Sequence, residues 1–337
     1  MNILIDKLVY EYGLAKLEAI PGVNVEIVDT PEEENPRPLP AEMLADVDAM
    51  MCSLPPSNLD DMHNLKLIQI VSAGYSQLVK LDLPKQGIRA CNALGVFDVP
   101  IAEWNIAMMI NCLRDLRGMI RNQENGIWDR GVRFQTELRG STVGFWGYGG
   151  IARETARIAK LMGLNVHVLT RSGIKSRENT YCVPFTGDLE GILPDKQFTM
   201  EQKMEFLNGI DFLVLALPMT DSSRGIIGES ELRAMKPSAY LLNPARGAII
   251  QEQALITALN KGWIAGAALD THYYYPMPPE HPLWAMPNVI MTPHISGSNG
   301  SPYFLPRIYD IFTQNIERLM QNKPLLNELT SEQLSGA

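Results

Sequence analysis

The sequence predicts an α/β protein in two domains, each built on a doubly wound parallel sheet. At 337 residues the chain is too long for one ordinary core and suits two domains of about 100 to 200 residues each. Short apolar runs alternate along it with helical or irregular segments, as in a buried parallel sheet covered by helices. A hydrophobic fraction of 46% and a charged fraction of 20% supply enough apolar mass for packed cores.

The first hundred residues read as one layered domain. The runs MNILI, VNVEIV and LKLIQIVSAG predict strands separated by helical or irregular segments. From Pro100 the run PIAEWNIAMMINCLRDLRGMIRNQ carries apolar residues at three- and four-residue spacing. This spacing predicts one long helix that begins at the proline.

The rest of the chain repeats the alternation of strand and helix. The run STVGFWGYGGIARETARIAKLMGLNVHVLT reads as strand, glycine turn, helix, glycine stop and strand, which is one βαβ unit. Further strands are predicted at DFLVLALP, AYLLNPA, IAGAALD and NVIMTPH. An amphipathic run over 302–321 predicts a last helix, and we expect the terminal SEQLSGA to fray.

The acidic balance of the chain limits its partners. The net charge is −9 and the isoelectric point is near 5.2, so the protein repels phosphate backbones and anionic lipid headgroups. We expect a small-molecule partner, with no nucleic acid, no membrane and, since the five histidines show no paired ligand spacing, no metal. The four cysteines lack CxxC spacing and the start MNILIDKLVYEYG lacks a signal-peptide run, so we expect a cytoplasmic protein.

A glycine-rich turn opens the helix of the βαβ unit and fits the pattern GxGxxG/A. It is formed by Gly147, Tyr148, Gly149, Gly150, Ile151 and Ala152. In this pattern the first glycine allows the tight turn, the second lets a pyrophosphate approach, and the last small residue lets the helix pack on the strand. The helix N-terminus then binds the phosphates of a dinucleotide. The alternative is an ordinary strand-to-helix turn.

The end of the next strand indicates which dinucleotide fits. An acid at this place would bind the ribose hydroxyls of NAD and repel a 2′-phosphate, but the chain has Thr170, Arg171 and Ser172. Two hydroxyls and a guanidinium suit a phosphate dianion. We therefore expect a preference for NADP(H), with NAD(H) as the second cofactor, unless Arg171 is only a solvated loop residue.

Five runs in sequence order resemble the D-2-hydroxyacid dehydrogenase family, including its glyoxylate/hydroxypyruvate reductase-like members, over nearly the whole chain. The runs are VSAGYSQL, NALGVFDVPIAEW, VGFWGYGGIA, NPARGAII and HPLWAMPNVIMTPHISG. The resemblance implies two Rossmann-like or flavodoxin-like domains, with the nucleotide domain inserted into the substrate domain. The substrate domain would then comprise 1–99 and 293–337, and the nucleotide domain 100–292. The resemblance also implies a homodimer.

The resemblance assigns a chemistry, which is hydride transfer between a nicotinamide and C2 of a small 2-oxo acid or D-2-hydroxy acid. Arg246 in NPARG matches the arginine that binds the substrate carboxylate and carbonyl, with a structural ion pair as the alternative. His294 in TPHISG matches the acid/base, with a structural histidine as the alternative. Asp270 matches an aspartate beside the nicotinamide and is equally consistent with a turn cap.

A loop in the first domain matches the part of the family site that holds the other side of the substrate carboxylate. The backbone N–H groups concerned belong to Ala73, Gly74 and Tyr75. Without the resemblance, these residues would be interpreted only as a turn.

One family residue is replaced. Relatives usually carry a glutamate five residues after the aspartate that matches Asp270, where it raises the pKa of the catalytic histidine, but this chain has Tyr275. Tyr275 stays a catalytic candidate because a phenol can orient an imidazole by hydrogen bonding, but it stabilises imidazolium less than an anion does. We therefore expect a lower His294 pKa than in those relatives. Three hypotheses stay open: an enzyme with a shifted pH profile, a relay through His272 or Tyr275, and a binding protein without turnover.

The stretch from Ser172 to Gly209 is a second departure, because relatives are shorter there. Its mixed proline, glycine and charged composition favours a surface excursion, with a cofactor-covering flap or an oligomer contact as alternatives.

The function favoured is an NADP(H)-dependent 2-oxo acid reductase. The sequence does not choose among glyoxylate, hydroxypyruvate and bulkier oxo acids. The alternative is a non-catalytic NAD(P)(H)-binding sensor or scaffold of the same fold, which the missing glutamate favours and the retained Arg246 and His294 disfavour. Formate oxidation shares the fold, but Tyr275 does not match the glutamine associated with it.

Overall fold

The computed structural model describes residues 1–28, 35–79, 81–131 and 136–335, which divide into two compact units. Unit 1 comprises Met1–Phe97, Glu178–Val183 and Asn299–Ala337, and unit 2 comprises Asp98–Arg177 and Pro184–Ser298. These bounds differ from the expected domains in three respects. The first border lies two residues earlier, before Asp98. The last border lies later, so that His294 belongs to unit 2, and the short range Glu178–Val183 joins unit 1.

Strands and helices alternate along the described residues. The strands are β1 (Asn2–Asp6), β2 (Asn24–Ile27), β3 (Ala49–Cys52), β4 (Leu67–Ile70), β5 (Arg89–Cys91), β6 (Thr142–Trp146), β7 (Asn165–Leu169), β8 (Lys196–Phe198), β9 (Phe212–Leu215), β10 (Tyr240–Asn243), β11 (Gly266–Leu269) and β12 (Val289–Met291). The helices are α1 (Glu11–Glu18), α2 (Ala41–Leu44), α3 (Asp98–Arg114), α4 (Leu116–Glu124), α5 (Gly150–Leu161), α6 (Lys203–Asn208), α7 (Glu229–Ala234), α8 (Glu252–Lys261), α9 (Phe304–Met320) and α10 (Ser331–Ser335). None of these helices combines the length and apolarity that a bilayer crossing requires.

Unit 1 is a five-stranded parallel sheet in the order β2-β1-β3-β4-β5. Both central strands, β3 and β4, are buried at every residue because hydrophobic clusters cover both faces of the sheet. One cluster includes Ile308 and Phe312 of α9, and the other includes Leu334 of α10. The expectation that SEQLSGA frays is wrong for 331–335, because burial of Leu334 fixes this short helix.

The range Glu178–Val183 is part of the unit 1 core. Tyr181 is only 5% exposed and lies in the same cluster as α9. Its backbone N–H donates to Asn327 Oδ1 at 3.1 Å, and the Asn327 N–H donates to the Asn179 carbonyl at 2.9 Å. A Cβ at Gly95 would overlap the Tyr181 carbonyl. The expected surface excursion of 172–209 is therefore wrong for this range, which packs inside unit 1.

Unit 2 is a seven-stranded parallel sheet in the order β12-β11-β10-β9-β6-β7-β8. The order runs outward in both directions from the neighbours β6 and β9, which pair with Trp146 opposite Leu215. Helices cover both faces, as the two clusters on opposite sides of the strands show. Ligands of such sheets bind at the carboxyl ends of the strands where the order reverses. The predicted doubly wound fold is confirmed.

The helix expected to start at Pro100 is two helices. Helix α3 begins at Asp98, and Asp115 interrupts it by adopting the left-handed region at φ 44°. The Asp115 carboxylate then caps α4 by accepting a hydrogen bond from the Gly118 N–H at 3.2 Å. The prediction of one long helix was wrong because apolar spacing does not detect a capping aspartate.

Candidate active site

The glycine-rich turn joins β6 to α5 where the strand order reverses. Gly147 has φ 91°, and a Cβ there would lie 2.6 Å from the Ala216 carbonyl oxygen. Gly149 precedes α5, and nothing lies within 4 Å of the position of a Cβ on it. Ala152 is fully buried. The turn is therefore tight at its first glycine and open at its second, which fits a dinucleotide diphosphate at the start of α5.

The remaining residues of the turn have different environments. Tyr148 is buried, and its hydroxyl donates to Asp188 Oδ2 at 2.7 Å. Gly150 and Ile151 form the first turn of α5. The side chain of Tyr148 thus anchors the turn, whereas the backbone of Gly150 and Ile151 belongs to the helix end that would meet phosphate.

Thr170, Arg171 and Ser172 directly follow β7. The Thr170 N–H donates to the Phe198 carbonyl at 3.2 Å, but its Oγ1 is buried without a hydrogen-bond partner among the described residues. Arg171 and Ser172 are exposed, and Arg171 forms no ion pair within the described ranges. An orphaned hydroxyl and an unneutralised guanidinium at one strand end fit a bound phosphate.

Arg246 lies in the turn that follows β10. The Asn243 side chain shapes this turn, since its amide donates to the Arg246 carbonyl at 2.9 Å and its Oδ1 accepts from the Ala245 N–H at 3.1 Å. The exposed guanidinium donates to the Ala245 carbonyl at 2.7 Å and pairs with no carboxylate in the part of the chain that the structure describes. The structural ion pair considered as an alternative is absent there, so the guanidinium has donors to offer an anion.

Asp270, just after β11, holds the loop that carries His294. Its side chain is fully buried and accepts hydrogen bonds from the Thr292 hydroxyl at 2.6 Å, the Ile295 N–H at 2.9 Å, the Ser296 N–H at 3.1 Å and the Ser296 hydroxyl at 2.5 Å. The His294 N–H donates to the Asp270 carbonyl at 2.8 Å. His294 has φ 57°, which few non-glycine residues adopt, so these bonds fix its backbone. The carboxylate acts as a loop cap, and its contact with a cofactor stays a prediction.

Tyr275 packs its ring against His294. The ring centroids lie 5.6 Å apart with an interplanar angle of 58°. The Tyr275 hydroxyl accepts a hydrogen bond from the His272 backbone N–H at 3.2 Å. The side chain is 59% exposed. His294 therefore meets the aromatic ring, and the hydroxyl that could have oriented the imidazole bonds elsewhere.

His272 lies beside Tyr275, with ring centroids 6.4 Å apart. Its buried side chain directs Nε2 at the Thr292 carbonyl at 2.7 Å, which requires the proton on Nε2. Nδ1 is then an acceptor, and it has no partner among the described residues. Because no hydrogen bond joins His272 to His294 in the described chain, the geometry favours a packed histidine over a relay.

The pKa of His294 lies below its ordinary value. The main cause is that surrounding protein removes hydration from the imidazole, and the second is repulsion by the Arg246 guanidinium. The Asp270 carboxylate opposes this shift, and His272 adds to it. Since the side chain as a whole is exposed, water screens these interactions in part. That this pKa also lies below that of relatives with a glutamate in place of Tyr275 stays a prediction.

The loop Ala73–Gly74–Tyr75 belongs to unit 1 and follows β4. The Ala73 carbonyl accepts from the Asn92 amide at 2.9 Å, and the Gly74 carbonyl accepts from the Ser72 hydroxyl at 2.7 Å. The N–H groups of all three residues donate to no acceptor among the described residues. Side chains thus satisfy the carbonyls and leave a run of N–H groups that can bind an anion.

Two supporting residues were missed by the sequence reasoning. Thr292 accepts a hydrogen bond from the Trp104 indole N–H at 3.1 Å and donates to Asp270, so it links α3 to the His294 loop. Its place in TPHISG was a signal that could have found it. Arg153 is only 3% exposed and donates to four backbone carbonyls near the glycine turn. No sequence signal identified it, because an arginine in an amphipathic helix is usually solvated.

Comparisons with known proteins agree with this geometry. The family model for the NAD binding domain of D-isomer specific 2-hydroxyacid dehydrogenases matches residues 106–296. The glyoxylate reductase of Thermofilum pendens is 31% identical over 308 residues, covering 88% of this chain and 85% of that protein. The glyoxylate reductase of Thermococcus gammatolerans is 30% identical over 309 residues, covering 88% and 86%.

Solved structures share the fold. A D-isomer specific 2-hydroxyacid dehydrogenase from Xanthobacter autotrophicus in complex with NADPH and MES has a TM-score of 0.76 at 26% identity, covering 98% of each chain. An NADPH-dependent glyoxylate/hydroxypyruvate reductase from Sinorhizobium meliloti in complex with NADP and sulfate has a TM-score of 0.76 at 23% identity, covering 100% of this chain and 99% of that chain. The chain therefore belongs to the D-isomer-specific 2-hydroxyacid dehydrogenase family and is an NAD(P)-dependent oxidoreductase.

Proposed function

We propose that this enzyme reduces a small 2-oxo acid with NADPH and oxidises the corresponding D-2-hydroxy acid in reverse. The observation that carries the proposal is the position of two groups at the carboxyl ends of the neighbouring strands β10, β11 and β12. After β10, the exposed Arg246 guanidinium pairs with no carboxylate among the described residues, and after β12 a backbone hydrogen bond to Asp270 holds the residue that carries the His294 imidazole. Glyoxylate is the first substrate to test, because relatives similar over most of the chain are named glyoxylate reductases.

Each residue has a distinct task in this proposal. Arg246 binds the substrate carboxylate and polarises the carbonyl through its planar fork of donors. In unit 1, the N–H groups of Ala73, Gly74 and Tyr75 are the proposed donors to a substrate carboxylate. His294, as imidazolium, gives its proton to the carbonyl oxygen as that oxygen becomes an alcohol, and takes it back in oxidation. The nicotinamide, when bound, supplies the hydride to C2 or accepts it.

The low pKa of His294 affects the two directions differently. Its imidazolium is a stronger acid than an ordinary one, but a smaller fraction of the enzyme carries that proton at neutral pH. Reduction requires the protonated form, so its rate falls as pH rises through this lowered pKa. Oxidation requires the neutral form and is favoured above it.

The preference for NADPH rests on Thr170, Arg171 and Ser172. Loss of one charge-assisted contact to a 2′-phosphate costs about 1.5 to 3 kcal/mol, or about tenfold or more in affinity. Arg171→Ala should therefore lower kcat/KM for NADPH at least tenfold and leave that for NADH unchanged. Lys196→Ala, at the exposed start of β8, is the control for loss of charge. An unchanged ratio of the two cofactors would mean that Arg171 is a solvated loop residue.

The test of the whole proposal is steady-state oxidation of NADPH and NADH with a panel of 2-oxo acids across pH. We expect turnover with NADPH that Arg246→Ala and His294→Gln each reduce by more than a hundredfold, while both variants still bind NADPH. Tight NADPH binding without turnover on any member of the panel would favour a non-catalytic sensor or scaffold.

We also propose a cytoplasmic location and a homodimer formed through unit 2. The dimer proposal is supported by exposed apolar side chains at Ile120 in α4 and at Ile127 and Trp128 after it, with Trp128 at 89% exposure. No disulfide joins any of the four cysteines in the part of the chain that the structure describes, as expected in a reducing compartment. Sedimentation should give twice the chain mass for the wild type and the monomer mass for Trp128→Ser. Leu161→Ser on α5 is the matched control and should remain dimeric.

A further inference from the structure

Two side chains of opposite charge lie against the first residue of α5. A Cβ at Gly150 would overlap Asp98 Oδ2 and would lie 2.6 Å from an Nη atom of Arg177. Asp98 is the first residue of α3, whereas Arg177 comes from the long stretch after β7. Beside them, the space over Gly149 is open. A carboxylate and a guanidinium therefore border the open side of the glycine turn.

The stretch that carries Arg177 is fixed in unit 2. The buried Arg153 guanidinium donates to the Lys175 carbonyl at 2.5 Å, to the Leu189 carbonyl at 3.3 Å and to the Asp188 carbonyl. The Arg177 N–H donates to the Leu189 carbonyl at 3.0 Å. Arg153 thus connects Lys175 and the 188–189 segment to α5. These hydrogen bonds hold Arg177 beside the glycine turn.

The pairing of Arg177 leaves donors available. Its ion pair with Asp98 is 3.8 Å long, which is beyond hydrogen-bond range, although the two side chains are only 15% and 9% exposed. Within the described residues the guanidinium makes no hydrogen bond. A guanidinium has five donors, so a half-buried one without a hydrogen bond is poorly satisfied in the absence of an anion.

We propose that Arg177, beside the first residue of α5, binds the diphosphate of the dinucleotide. The proposal rests on dinucleotide binding at the glycine turn, as in the proposed function, and extends it to a residue outside the GxGxxG/A pattern. The Arg177 guanidinium can supply the bidentate contact that phosphate prefers.

The test measures affinity by calorimetry for NADPH, NADH and ADP-ribose, which share the diphosphate. Arg177→Met should weaken all three by the same factor, about tenfold or more. It should raise KM for the cofactor and leave kcat at saturation unchanged. Arg177→Lys should recover part of the affinity. Lys160→Ala, at the other end of α5 in a pair with Asp195, controls for the loss of one charge and should bind normally.

The pattern across ligands separates this proposal from the preference for NADPH. Arg171→Ala should weaken only NADPH, so an unchanged NADPH affinity in that variant would refute the cofactor preference without affecting Arg177. Unchanged affinities of Arg177→Met for all three ligands, with or without a lower melting temperature, would show that Arg177 only pairs with Asp98 and would overturn the proposal.

Discussion

Replacing Tyr275 by glutamate should raise the pKa of His294. Two unit charges about 5 Å apart at an effective dielectric of about 20 attract each other by about 3 kcal/mol. Tyr275 is 59% exposed, so we discount this attraction for solvent screening to about 1.4 kcal/mol, which is about one pKa unit. The distance is set by the ring contact of 5.6 Å between Tyr275 and His294.

The shift has a defined sign in the reduction reaction. Imidazolium is the proton donor, so kcat/KM for reduction falls as pH rises through the His294 pKa. In Tyr275→Glu this fall should begin about one unit higher, and above both pKa values reduction should be about tenfold faster than in the wild type. The assay is kcat/KM for the 2-oxo acid with saturating NADPH over the pH range in which the enzyme stays folded.

Two variants isolate the charge. Tyr275→Gln has the shape of the glutamate without its charge and should keep the wild-type pH dependence of kcat/KM for reduction. Tyr275→Phe keeps the ring and removes only the hydroxyl. A proton NMR titration of His294, assigned through the spectrum of His294→Gln, gives the same pKa without turnover. Superimposable profiles for the glutamate and glutamine variants would refute the argument that a carboxylate is what this site lacks.

Three further variants test the supporting structure. Asp270→Asn should lower the free energy of unfolding by about 2 kcal/mol or more, because an amide cannot accept all the hydrogen bonds that the 292–296 loop donates. The same variant should reduce kcat. A higher KM for the cofactor at an unchanged melting temperature would instead indicate that Asp270 contacts the cofactor directly. Tyr181→Ala should lower the free energy of unfolding in urea by about 3 kcal/mol because it leaves a cavity in the core of unit 1, whereas Tyr181→Phe should lower it by about 1 kcal/mol. An alanine variant as stable as the wild type would contradict the role of Tyr181 in the core. Arg153→Leu should leave backbone carbonyls of 175–189 without their donor and speed exchange of the amide hydrogens in that stretch. Lys160→Ala on the same helix, whose partner Asp195 lies outside the stretch, should not. Protection equal to wild type would show that Arg153 does not hold this stretch.

The sheets and the glycine turn could be predicted because their signals are local. Apolar runs such as FLVLALP form strands that are buried on both faces, and Gly147 needs a positive φ that its place in the pattern already indicates. The break at Asp115 was missed because a left-handed aspartate leaves the apolar spacing of α3 and α4 unchanged.

The candidate site divides in the same way. Arg246 and His294 lie in runs that resemble a family, so the sequence was enough to identify them as candidates. The hydrogen bonds that their neighbours make could not be predicted. The sequence is equally consistent with a Tyr275 hydroxyl that faces the imidazole, whereas in the structure this hydroxyl accepts a hydrogen bond from the His272 N–H. Arg153 and Arg177 depend on how the stretch after β7 folds back onto α5, which is set by contacts distant in sequence.

The discontinuity of unit 1 has a consequence for biosynthesis. Its sheet is complete by Cys91, yet the side chains that cover one face of that sheet, including Tyr181, Ile308 and Phe312, are translated later. A chain that folds as it emerges from the ribosome must therefore keep Ile3 and Leu17 from aggregating until α9 has been synthesised. Unit 2 ends at Ser298, so all of its residues are translated before α9, and truncation before α9 should leave a nascent chain that chaperones retain.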